Sequence, residues 1–292
     1  MDGNGYFIDA KTSDFGPCFV PTTTWRDEFV QVMISSGVTS LRLSRSAGWS
    51  GKDISFISEL DFLSGIEIYD WNTTDISPIV ENKALRLVGI QCTLASHVDF
   101  SIFKKLEVCK IFWNDKIKGL FNCTALRHLD LVDYPFENLL ELSELSALRR
   151  LHLSSRKILT LRGIANLNSL ENLDLATCSK LVDVSDIAEC KNLISLEIRT
   201  CRKIGSLPNH LLLPRLKALS LSDCGKIESL KPLSSCQKLE TLRATGDTVI
   251  VDGDFDFLLT LPALKDAWYA NKKHYSLPRE LLMQKISISN CD

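Results

Sequence analysis

The chain predicts an α/β repeat solenoid: one supersecondary unit, stacked many times, with a parallel sheet along one face. Three observations carry this expectation. The stretches Leu170–Cys178, Leu193–Cys201 and Leu216–Cys224 superimpose as L-x-x-L-x-L-x-x-C, with Ile198 for the third leucine in the second, and with starts evenly spaced at 170, 193 and 216. A second aliphatic column (Leu159, Leu181, Ile204, Ile227, Ile250) follows the middle starts, and Val184, Leu207 and Leu230 lie three residues further on. A hydrophobic content of 45% over 292 residues is ample for a shared core. A fixed period of this size marks stacked units, because one unit cannot bury its apolar face alone.

Each element follows from that register. Residues 1–37 lack the repeat and read as an N-terminal cap, with Thr24 to Asp27 at capping-box spacing. Trp25, Phe29, Val32 and Met33 then share one face of an expected helix that stops at Ser35, Ser36 and Gly37. Such a cap would cover the open edge of the first coil. Residues 38–263 hold the repeats and residues 264–292 the last repeats with a C-terminal cap, all in one continuous domain. The starts are read at 38, 63, 82, 106, 126, 148, 170, 193, 216, 239, 264 and 283. The pattern L-x-x-L-x-L-x-x-N/C is the leucine-rich repeat signature. The expected fold is therefore a leucine-rich repeat solenoid, a right-handed arc with its sheet on the concave face. Units this short leave room only for 3₁₀ turns or extended segments on the convex side.

Seven of the ten cysteines form two columns. Cys178, Cys201, Cys224 and Cys291 occupy place nine, where Asn114 stands in its own copy. Cys123, Cys190 and Cys236 precede the next start by three residues. Both columns are expected to hold free, buried thiols. Net charge is −2 and the pI is near 6.2, which gives no electrostatic case for nucleic acid or an anionic membrane. The opening residues lack a basic and apolar leader, and no apolar run is long enough to span a bilayer, so a cytoplasmic location is expected.

On these repeats the chain resembles bacterial leucine-rich repeat proteins with short, internalin-like units, from about residue 38 onward. The stretch from Asp252 to Tyr275 is similar to the closing segment of a group of uncharacterised bacterial members. The resemblance implies a binding surface rather than an active site. Secreted internalins carry leaders and anchors, and repeat-bearing ubiquitin ligases carry a large extra helical domain. Neither feature is found in these residues.

Catalytic patterns are weak. Gly48 to Asp53 imitates a phosphate loop but lacks its first glycine, and Asp53 replaces the hydroxyl. Asp252, Asp254 and Asp256 imitate a calcium loop, but Phe257 and Ala263 replace its glycine and closing glutamate. No cofactor and no metal are expected, and the chain is read as non-enzymatic.

Places three, five and seven should face solvent, because successive side chains alternate along a strand. Place five reads Arg42, Glu67, Arg86, Lys110, Asp130, His152, Asp174, Glu197, Ser220, Arg243, Trp268 and Ser287. Tyr69, Phe112 and Trp113 lie beside it, and Trp71 is assigned to the core. The partner-binding set expected from these columns is Tyr69, Lys110, Phe112, Trp113, Asp130, His152, Asp174 and Glu197. Asp174 and Glu197 should repel one another, which suits a partner with a basic surface. The function expected is that of a monomeric protein-binding scaffold, most specifically an immunity protein that neutralises a toxin. The alternatives are a regulatory subunit docking on an enzyme and an injected effector.

Overall fold

The computed structural model describes residues 4–10 and 15–289. The chain forms two compact units, Met1–Leu131 and Val132–Asp292. Both are built from parallel strands of the leucine-rich repeat solenoid.

The first unit opens with a hairpin that the N-terminal sequence did not announce. Strand β1 (Tyr6–Asp9) pairs antiparallel with β2 (Cys18–Pro21), and β2 pairs parallel with the first repeat strand, β3 (Ser40–Ser44). The N-terminal cap is therefore a hairpin plus a helix, not a helix alone. Helix α1 (Glu28–Ser35) starts later than the capping box implied. Its N-cap, Asp27, makes no side-chain capping bond. Trp25 stacks instead on Phe56, with ring centroids 4.1 Å apart. Phe29 and Met33 are buried as expected. The stop is a Schellman turn: Gly37 (φ 64°) donates to Ile34 and Val38 donates to Met33.

Strands β4 (Gly65–Tyr69), β5 (Leu87–Gln91), β6 (Val108–Phe112) and β7 (His128–Val132) follow in sheet order. Their register sets Arg42, Glu67, Gly89 and Lys110 side by side. The third repeat therefore starts at Leu85, with Val88 and Ile90 facing in, and not at residue 82. Gly89, not Arg86, holds place five. Arg86 is instead exposed and ion-paired to Glu107.

The second unit carries β8 (Arg150–Ser154), β9 (Asn172–Ala176), β10 (Ser195–Arg199), β11 (Ala218–Ser222), β12 (Thr241–Thr245) and β13 (Asp266–Tyr269). All pair in parallel, so that His152, Asp174, Glu197, Ser220, Arg243 and Trp268 stand in one row. The returning segments are short 3₁₀ turns, such as Ile164–Asn166, Ser185–Glu189 and Lys231–Ser235. One short helix, α2 (Ser77–Val80), takes that role in the first unit.

The turn leaving each strand explains the cysteine column. Asp133, Thr177, Thr200 and Asp223 adopt positive φ, a conformation that non-glycine residues seldom take. Thr177 and Thr200 are held there by backbone donation to Arg199 and Ser222 of the following repeat. That twist turns the next side chain inward. Cys178, Cys201 and Cys224 thereby reach the carbonyls of Leu153, Leu175 and Ile198 in the preceding repeat. Repeat 148 lacks the extra residue. Ser155 does the inward work at place eight, and Ile158 rather than Leu159 fills the core. Cys123 and Cys236 in the second column donate to Phe100 and Leu211. All nine cysteines among the described residues are free and buried, and Cys291 lies outside them. Burial pushes the Cys224 thiol up to about 11 and the Cys190 thiol up to about 12.

The stretch read as a last repeat from Met283 is helical, within α3 (Arg279–Ser289). The basic and aromatic segment before it belongs to the end of the fold. His274 bonds the Ile250 carbonyl, and the Tyr275 hydroxyl accepts from the Ile250 amide. Phe255, Tyr269 and Tyr275 stack against each other beneath it. Asp252 and Asp254 cap successive turn amides, and Asp254 also meets Lys231 at 2.9 Å.

Candidate protein-binding surfaces

Place five is used differently in the two units. In the first unit Glu67 is only 2% exposed, and its carboxylate is enclosed by three donors. Arg42 reaches it at 2.6 Å, the Tyr69 hydroxyl at 2.7 Å and Lys110 at 3.3 Å. Arg42 also holds Asp9 of the hairpin at 3.0 Å. Gly89 makes the space, since a Cβ there would stand 2.9 Å from Glu67 Cγ. Burial, together with the Glu67 charge, drives the Tyr69 hydroxyl far above its ordinary value. Tyr69 and Lys110, two of the expected contact residues, are thus committed to an internal network.

The aromatic residues of this unit sit nearby in two pairs. Trp71 is not core: it is 54% exposed and meets Phe112 edge-on at 5.5 Å. Place eight of its repeat, Asp70, turns inward instead and binds Arg45 at 2.9 Å, which leaves Trp71 outside. Trp113 lies flat on Phe121, with centroids 5.4 Å apart. Asp130 is approached by His128 of its own strand at 3.6 Å.

The second unit places His152, Asp174 and Glu197 in the expected row, but the expected repulsion is relieved. Arg199, two residues beyond Glu197, bridges both acids: it is 2.5 Å from Asp174 and 3.3 Å from Glu197. His152 Nδ1 lies 2.7 Å from Asp174 Oδ2. Burial alone would raise the Asp174 carboxyl. The hydrogen bonds from His152 and Arg199 outweigh it and hold the group below the ordinary carboxylate value. This row is therefore a bridged salt network in which two carboxylates share one guanidinium, not an uncompensated acidic patch. Arg199 was missed because attention to place five hides a place-seven side chain that leans back one repeat.

Beyond Glu197 the row continues to Ser220, Arg243 and Trp268, which border a shallow depression of about 380 Å³. None of these three belonged to the expected contact set, although all stood in the place-five column.

Stacked parallel strands, inward turn side chains such as Cys178, Cys201, Cys224 and Ser155, and 3₁₀ returns define the class as a leucine-rich repeat protein with short units. Solved structures of that class superimpose on the chain. An internalin (inlF) from Listeria monocytogenes matches with a TM-score of 0.56 at 18% identity, covering 86% of this chain and 79% of that one. A leucine-rich repeat protein from Leptospira interrogans, LIC12759, matches with a TM-score of 0.58 at 18% identity, covering 89% and 67%. The functional domain of InlJ from Listeria monocytogenes, which includes a cysteine ladder, matches with a TM-score of 0.56 at 16% identity, covering 86% and 58%. At such identities the likeness establishes the internalin-like fold. No family model and no curated protein matches the sequence. Among the described residues, no helix is long and apolar enough to cross a membrane.

Proposed function

We propose that the chain is a protein-binding scaffold that works through the side chains of its repeat strands, and that it serves as an immunity protein neutralising a toxin. The supporting observation is the row His152, Asp174, Glu197, Ser220, Arg243 and Trp268. It is held in strict register, is charged and aromatic, and is accessible over most of its length. A rigid row of this composition recognises a protein surface with little ordering cost. Trp71 and Phe112 supply a second apolar contact in the first unit. Because Arg199 already pairs with both acids, the partner need not be strongly basic.

Affinity capture from the native organism, identification by mass spectrometry and reconstitution with purified proteins test the scaffold reading. Asp174→Ala and Trp268→Ala should each weaken the reconstituted complex, with Trp268→Ala keeping a melting temperature near the native one and Asp174→Ala losing no more than about 1 kcal/mol of stability. A partner indifferent to both would place the interface elsewhere. The immunity reading is tested by expressing the captured partner alone and with this chain. Growth arrest by the partner, relieved by the chain, supports it. A partner whose expression has no effect on growth rejects it.

A further inference from the structure

We infer that the end of the second unit's strand row, around Trp268, is a pocket for one side-chain carboxylate of a protein partner with an apolar side chain beside it. This rests on the scaffold reading and assigns chemistry to one part of that surface.

Arg243 is exposed and stands in register between Ser220 and Trp268. Among the described residues no carboxylate lies within ion-pair distance of it. Glu197, at one border of the depression, faces Arg199 at 3.3 Å. A guanidinium with unfilled donors is the group that best meets a carboxylate, through two parallel hydrogen bonds.

Trp268 supplies the apolar half. Its ring is 52% exposed on a paired strand. Its position is fixed by Arg279, whose guanidinium lies 3.9 Å from the ring centroid and whose Nε donates to the Ala267 carbonyl. An immobilised indole with open surface loses little entropy on contact and is the commonest kind of binding anchor. Ser220 and Thr245 line the space beside Arg243 with neutral hydroxyls.

The borders limit what fits. Glu197 and Asp266 both line the depression, so an acidic run or a dianion such as phosphate would be repelled. One carboxylate facing Arg243 and flanked by neutral residues meets these borders with the least repulsion.

The test uses the full chain carrying ¹⁵N-indole tryptophan, with the Trp268 resonance assigned by its loss in Trp268→Phe. The probe is the capped peptide acetyl-Ser-Glu-Leu-Ser-amide, titrated through the millimolar range. The expected result is a saturable shift of the Trp268 indole. Binding should be about tenfold weaker with Gln in place of Glu, and about tenfold weaker in Arg243→Gln. Arg243→Gln should keep the native melting temperature, since the side chain bonds nothing that holds the fold. The inference is overturned by no shift, by equal shifts with the Glu and Gln peptides, or by an unchanged response in Arg243→Gln. Equal displacement by inorganic phosphate, or binding only by a peptide with a free C-terminal carboxylate, also overturns it. A reconstituted partner that needs Asp174 but ignores Arg243→Gln and Trp268→Ala would retain the scaffold reading and remove this one.

Discussion

Glu67 and Asp174 occupy the same place of the repeat, each is gripped by an arginine, and they do different things. Glu67 sits under Tyr69 and beside Gly89, with three polar partners, one of which, Arg42, also holds Asp9. Asp174 has half-buried neighbours and lies open to water on one side. The difference comes from the flanking places, not from place five itself. A glycine on the next strand lets Glu67 sink, and a tyrosine two residues on closes over it. Around Asp174 the corresponding positions carry Glu197 and Ala176, which neither make room nor cover. A carboxylate on a repeat strand is therefore structural or available according to its neighbours' size.

The largest expected effect removes the cap that the buried network anchors. Deleting residues 1–37 strips β2 from the edge of β3 and takes Asp9 from Arg42. It also uncovers Leu41, which is fully buried. An uncapped repeat edge is both apolar and unpaired. The truncated protein should be insoluble, or should lose the cooperative unfolding of its first unit in circular dichroism. A soluble product with native stability would show the hairpin and α1 to be dispensable.

Next in size is the contrast between the two carboxylates. Glu67→Gln leaves the half-buried Lys110 and Arg42 with one charge too few, and removing the buried member of such an ionic group costs about 3 kcal/mol or more. Glu197→Gln alters a side chain that is 44% exposed, where an ion pair contributes about 0.5 kcal/mol. Urea unfolding of the two variants should separate them clearly. Equal losses would dissolve the distinction drawn between the units. Gly89→Ala should fall with Glu67→Gln, because its methyl meets Glu67 Cγ and the Tyr69 hydroxyl.

How far these features can be read from the sequence depends on the residue types involved. The regular repeats from 126 to 239 are legible because leucine fills places one and four throughout, and place six in all but two, where Ile198 and Ala244 stand. The third repeat is not, since Val88 and Ile90 replace leucine there and Leu85 with Leu87 imitates an L-x-L pair three residues early. Even spacing between 63 and 106 favours a start at Leu85, and Gly89 is the trace of the Glu67 network. Trp71 was misplaced by counting to nine, because an extra residue before the inward side chain exists only where a turn adopts positive φ, as at Thr177. The hairpin is hard to see because its strands are only four residues long. The place-five row itself follows from the period, but the bridge made by Arg199 requires knowing which way a long side chain leans.

A smaller effect concerns pH. The Asp174 carboxyl is held below its ordinary value in the folded chain, so it contributes stability above the unfolded value of about 3.9. That contribution is lost as pH falls through the lower, folded value. The stability difference between the native chain and Asp174→Asn should therefore be about 1 kcal/mol at pH 5 and should close at more acid pH. Carboxylates outside this network are common to both proteins, so their titration cancels in the difference. A difference that widens on acidification would mean that the salt network does not hold the charged form.

The smallest expected effect on stability tests whether the same distinction, committed against available, divides the two tryptophans. Trp113 lies flat on Phe121, and its indole faces Asp115 at 3.4 Å. Trp71 touches Phe112 only by an edge and keeps more than half of its surface in water. An aromatic pair contributes about 1 kcal/mol beyond burial, so Trp113→Ala should lower the melting temperature measurably. Trp71→Ala should leave it within about 0.5 kcal/mol of the native chain. Binding should reverse the order if the first unit contacts the partner: Trp71→Ala then costs about 2 kcal/mol as an exposed anchor, while Trp113→Ala costs less. Calorimetric titration of both variants against the reconstituted partner decides it. A Trp71→Ala variant that binds like the native chain would remove Trp71 as the first unit's anchor, where Tyr69 and Lys110 are already held by Glu67.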